Sequence, residues 1–135
     1  MRAPGFRARL VAWAPVVAYM ALIVALSSFH IDTGAMGSWP HKDKLAHLVE
    51  YAGLALLTVR ASRLTWPTRP PARVAAFAVM LTASFGLTDE LHQAFVPGRT
   101  ADAWDLFADV LGAVLGVGLF FAPDVLRRRA LGTRP

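Results

Sequence analysis

The sequence predicts an all-α, polytopic membrane protein: a four-transmembrane-helix bundle with both termini cytoplasmic. Three observations predict it. The 135-residue chain is 56% hydrophobic with a mean hydropathy of +0.45, too apolar for a soluble domain of this size. Its apolar runs are long enough to cross a hydrocarbon core of about 30 Å, which takes about 20 helical residues. Its basic residues collect at the two ends and in the middle connection, the pattern of a topology signal.

Spans fall at roughly 10–29, 44–60, 73–91 and 103–122, all within a single domain over 1–135. A short basic tail with Arg2, Arg7 and Arg9 precedes the first, Leu10–Phe29, which carries no charge. Pro15 lies in its first turns, where the missing N–H costs least. A cleaved signal peptide is the rival reading, with Ala25-Leu26-Ser27 as the cleavage site; the run exceeds the usual h-region of about 7–15 residues. His30–His41 contains Asp32, Gly34, Gly37 and Pro40 and reads as a loop. The second helix opens at Lys42-Asp43-Lys44, with Asp43 suited to the positive end of the helix dipole. Arg60–Arg73, with Pro67, Pro70 and Pro71, reads as a turn. Val74–Leu91 is the third helix and Asp102–Phe121 the fourth, with Pro123 ending the run. Gly112 and Gly116, at four-residue spacing, suit close approach of a neighbouring backbone. Trp13, Trp39, Trp66 and Trp104 fall near predicted interfaces, as anchors do.

With four spans, Arg2, Arg7, Arg9, Arg60, Arg63, Arg69, Arg73, Arg127, Arg128, Arg129 and Arg134 share one side. The opposite side holds Lys42, Lys44 and Arg99. The positive-inside rule then makes the termini cytoplasmic. Every carboxylate except Asp124, and all the His, falls outside.

The absence of Cys excludes disulfides, thiolate catalysis and Cys-ligated zinc. The net charge of +5 does not indicate nucleic acid, because the basic residues form no aromatic-laced patch. Ser27, Ser28 and Ser84 lack the strand–turn–helix setting of a Ser hydrolase elbow. There is no internal repeat.

The stretch Thr88–Asp105 concentrates Asp89, Glu90, Gln93, Arg99, Asp102 and Asp105 between two apolar runs. A carboxylate at a bilayer centre costs roughly 2.5–3.5 kcal/mol, so this cluster belongs at a membrane edge or in a wet cavity. Asp43, His47 and Glu50 share a helix face at i, i+4, i+7. Asp102, Asp105 and Asp109 share another at i, i+3, i+7. Antiparallel packing brings these stripes to one level as a candidate binding site: Asp43, His47, Glu50, Tyr51, Asp89, Glu90, Gln93, Arg99, Asp102, Asp105 and Asp109. Few fixed cations face many acids there. One answer is a divalent metal, with His47, Glu50, Glu90 and Asp105 as candidate ligands. Another is a shared proton, with His47, Asp89 and Glu90 as candidate catalytic acid and base. Arg99, in the Pro97-Gly98 turn, is a candidate phosphate reader. His30 and His92 read as surface residues.

His47-x-x-Glu50-Tyr51, then Asp89-Glu90-x-x-Gln93-x-x-x-Pro97-Gly98-Arg99-x-x-Asp102-x-x-Asp105-x-x-x-Asp109-x-x-Gly112, resembles the VanZ-like family over about residues 10–122. At Asp109 the chain departs from relatives that often carry Asn, so no neutral amide is available there. The resemblance implies a small bacterial integral membrane protein. The family's namesake is an accessory determinant of resistance to teicoplanin, which acts at the outer face of the membrane on cell-wall precursors. The resemblance carries motif membership and no catalytic roles.

Three functions fit these residues. The first is a binding or resistance module that engages an envelope lipid head group or a lipid-linked cell-wall intermediate. The second is a membrane-embedded enzyme acting on a phosphorylated head group by acid/base or metal-assisted chemistry. The third is a structural protein, in which Lys44, Arg99 and His47 pair with the carboxylates and only fix helix register.

Overall fold

The computed structural model describes residues 4–29 and 41–132. The loop expected at His30–His41, with Asp32, Trp39 and His30, lies almost wholly outside the described residues. Four helices follow in order: α1 (Phe6–Ser27), α2 (Lys42–Thr65), α3 (Pro71–Gln93) and α4 (Ala103–Ala130). The described residues hold no strand. α1, α3 and α4 are long and apolar enough to cross a membrane. α2 has 24 residues, a length of about 36 Å, but carries more charge.

Several boundaries differ from the sequence expectation. α2 continues through Arg60 and Arg63, because the helix breakers begin only at Pro67. Its last turns are also held by packing. Ala61, Ser62 and Thr65 are buried, and Trp13 Nε1 of α1 donates to Thr65 Oγ1 at 2.9 Å. The turn therefore shrinks to residues 66–70. Pro71 opens α3 at its first position, where its missing N–H costs no helical bond. α1 begins at Phe6 rather than Leu10, so Pro15 falls in the helix interior. α4 runs through Pro123 to Ala130 instead of stopping there. The Leu, Arg and Ala residues beyond Pro123 are strong helix formers and carry it on.

α2 is the central element and packs most extensively on α4. Gly112 and Gly116 make this possible. A Cβ on Gly112 would collide with the Leu48 carbonyl and lie 3.1 Å from Ala52 N; one on Gly116 would lie 3.0 Å from Ala52 Cα. The two backbones meet because both positions lack side chains. One apolar cluster, Ala55, Val59, Val74, Ala78, Ala113 and Val117, joins α2, α3 and α4. A second, with Val16, Ile23 and Leu54, joins α1 and α2.

Trp13 and Trp66 are not simple anchors. They meet edge to face at 6.1 Å, and Phe77 of α3 closes the cluster at 5.5 Å from Trp66. Trp104 is exposed. Large apolar side chains such as Val11, Val17, Phe107, Val114 and Leu119 also face outward, which suits contact with lipid tails rather than water.

Candidate functional site

At the end of the bundle where α2 and α4 begin, α3 ends and α1 ends, the polar stripes converge. The convergence follows from antiparallel connection. α2 starts with Asp43, Lys44, His47 and Glu50; α3 finishes with Asp89, Glu90 and Gln93; α4 opens with Asp105 and Asp109. Asp102 precedes α4 rather than lying on it. Its Oδ1 accepts the Trp104 N–H at 2.9 Å, which caps the helix. Its pKa is held below the usual carboxylate range, first by the Lys44 ammonium and then by that N–H.

Three hydrogen-bonded groups make up the cluster. Lys44 Nζ reaches Asp102 at 2.8 Å, Asp105 at 2.9 Å and Asp43 at 3.2 Å. His47 Nδ1 stands 2.8 Å from Asp109 Oδ1 and 3.9 Å from Glu90 Oε1. Glu90 Oε2 accepts the Asp102 N–H at 2.8 Å, which fastens the connection onto α3. In the third group, Asp89 accepts from Ser27 Oγ at 2.6 Å and from Gln93 Nε2 at 2.8 Å. Gln93 Oε1 in turn accepts from Arg99 Nη1 at 3.2 Å. Arg99 Nη2 donates to the Phe29 carbonyl at 3.2 Å and reaches the Leu26 carbonyl at 3.5 Å.

The sequence-based candidates separate by depth. His47, Tyr51, Asp89, Glu90, Gln93, Asp105 and Asp109 are buried; Asp43 is exposed. Glu50 is half-buried with no hydrogen-bond partner among the described residues. Tyr51 lies below the others, its ring parallel to His47 with centroids 6.2 Å apart, and its buried hydroxyl has no partner among the described residues. Asp89 and Glu90, the candidate shared-proton pair, each engage separate hydrogen-bond partners. Among the described residues, His47, Glu90 and Asp109 each offer a ligand atom within 4.8 Å of the others. Glu50 and Asp105 lie outside that trio. His92 is exposed and pairs with Ser28 at 2.9 Å.

A cleft of about 540 Å³ opens beside the cluster. Its walls include His47, Glu50, Asp89, Gln93, Arg99 and Thr100. Ser27, which closes α1 and is absent from the candidate binding set drawn from the sequence, also lines this cleft. Its bond to Asp89 is a contact across 62 residues that helix periodicity does not encode.

The family model described as VanZ/LLP1 matches residues 4–127. The chain belongs to the VanZ/LLP1 family. The match takes in all of α1, α2 and α3 and most of α4, so the whole polar cluster lies within the VanZ/LLP1 region. No curated protein and no solved structure matches the chain.

Proposed function

We propose that this VanZ/LLP1 protein is a single-domain, multi-pass protein of the bacterial inner membrane whose outward-facing cleft binds the phosphate-bearing head group of an envelope lipid or lipid-linked cell-wall intermediate. All four helices span, and both termini are cytoplasmic. The distribution of basic residues supports this orientation. The composition of α2 is compatible with spanning, because Lys44, Arg60 and Arg63 lie near its ends, where long cationic side chains reach the interface. Between them, His47 is buried in the bundle and Glu50 faces the cleft.

One observation carries the binding reading. Arg99 is held in the cleft by hydrogen bonds to neutral oxygens, those of Gln93, Leu26 and Phe29, with no carboxylate in direct ion-pair contact among the described residues. Its buried Nε–H has no acceptor among the described residues. A guanidinium held in this way is oriented to receive an anion, and phosphate suits its geometry. Glu50, on the same cleft, offers an acceptor for head-group hydroxyls or an amine. Sequestering such a lipid at the outer face would alter teicoplanin susceptibility. The test is expression in a teicoplanin-sensitive bacterium. The expected result is a changed inhibitory concentration that reverts with Arg99→Ala at equal membrane abundance. Equal susceptibility with and without the wild-type protein contradicts the resistance role.

The second reading is a membrane-embedded enzyme acting on the same head group. The buried bond between His47 Nδ1 and Asp109 favours it, since it orients the imidazole and leaves Nε2 for proton transfer. Release of a head group or phosphate by the wild type, lost in a folded His47→Gln variant, would establish it. Unchanged lipid after prolonged incubation would remove it.

A further inference from the structure

We propose that His47, Glu90 and Asp109 form a site for one divalent transition-metal ion. The three residues come from three different helices and are 6%, 5% and 0% exposed. One ligand atom from each lies within 4.8 Å of the other two. Clustered carboxylates alone would not indicate an ion, but here two of the oxygens are orphaned. Glu90 uses Oε2 for the Asp102 N–H, while its buried Oε1 has no hydrogen-bond partner among the described residues. That atom lies 3.9 Å from His47 Nδ1. Asp109 uses Oδ1 for His47, while its Oδ2, on the side of Gly86, is likewise buried and unpartnered among the described residues.

The neighbouring cations are committed elsewhere. Lys44 holds Asp43, Asp102 and Asp105. Arg99 holds Gln93 and two backbone carbonyls. A protonated His47 would bring one positive charge to two buried carboxylates. A divalent ion bound to neutral His47 balances both. One imidazole nitrogen with carboxylate oxygens suits Mn²⁺, Fe²⁺, Co²⁺ or Zn²⁺, whereas Ca²⁺ prefers an all-oxygen shell. On ligation the proton between His47 Nδ1 and Asp109 passes to solvent and the ion takes its place. His47 lines the cleft, which gives the ion a route in.

This inference is independent of head-group binding, because ion uptake is read with no lipid ligand added. The full chain is purified in detergent, stripped with chelator and titrated separately with Mn²⁺, Co²⁺ and Zn²⁺. The expected result is one tightly held ion per chain and a saturable rise in Tm of about 5 °C or more at a hundredfold excess over Kd. Glu90→Gln and Asp109→Asn should abolish uptake, while Asp124→Asn, at the far end of α4, should retain it. Should either site variant fail to fold, the wild-type stoichiometry and the Co²⁺ absorption spectrum decide, since a mixed nitrogen–oxygen site gives d–d bands unlike those of aqueous Co²⁺. No uptake of any of the three ions by folded wild-type protein overturns the proposal. So does uptake that survives both site substitutions.

Discussion

Ser27 Oγ donates to Asp89 Oδ1 at 2.6 Å, joining the end of α1 to the end of α3. Both residues are buried, and α1 otherwise touches α3 little. Ser27→Ala leaves a buried carboxylate with one donor fewer, at a cost of about 1–3 kcal/mol. Thermal unfolding in detergent should show a lower Tm for Ser27→Ala than for Ser28→Ala, whose hydroxyl is exposed. Equal Tm values would mean that the Ser27 bond holds nothing.

The glycines of α4 give a matched comparison. Gly116→Ala drives a Cβ into the Ala52 backbone and should destabilise by about 1–3 kcal/mol, as overpacking does. Two residues on, a Cβ at Gly118 meets nothing within 4 Å. Gly118→Ala should be neutral or stabilising by up to about 1 kcal/mol through helix propensity. Denaturation in a single detergent measures both, and a stable Gly116→Ala protein would show that α2 and α4 do not meet at that point.

Lys44 supports two carboxylates from the connection and α4, so Lys44→Met should lower Tm at neutral pH. The pH dependence has a definite sign. Asp102 has a folded pKa below its unfolded value. Its contribution is present above the ordinary carboxylate pKa of about 3.9 and is lost as pH falls through the folded value. The Tm gap between wild type and Lys44→Met should therefore narrow in acid. A gap that widens on acidification would contradict the pairing.

The proposed orientation yields a labelling pattern. The chain has no Cys, so single substitutions report without background. Arg63→Cys should react with an impermeant maleimide only when the cytoplasmic side is opened, and Thr100→Cys in intact cells. The reverse pattern would invert the protein, and reaction of both from one side would remove a span.

Much of this was legible in the sequence. Helical periodicity alone set Asp105 and Asp109 on one face and put Gly112 and Gly116 against a neighbour. Antiparallel order was enough to bring His47 and Glu90 to the same level. Other features depend on how helices rotate against each other, which periodicity does not encode. Ser27 reads as the end of an apolar run until α1 packs beside Asp89. The trio around His47 takes in Asp109 rather than Glu50 or Asp105, because Asp105 turns to Lys44 and Glu50 faces the cleft. Pro123 misleads for a simpler reason: a proline weakens a helix without always ending it.

The account depends on Arg99 receiving an anion in the cleft, and a titration of a soluble short-chain phosphatidylglycerol into purified protein measures this most directly. The account predicts saturable binding weakened about 10-fold or more by Arg99→Ala, the scale of a charged hydrogen bond worth about 1.5–3 kcal/mol. Binding of equal strength in wild type and Arg99→Ala, or none in either, would contradict it.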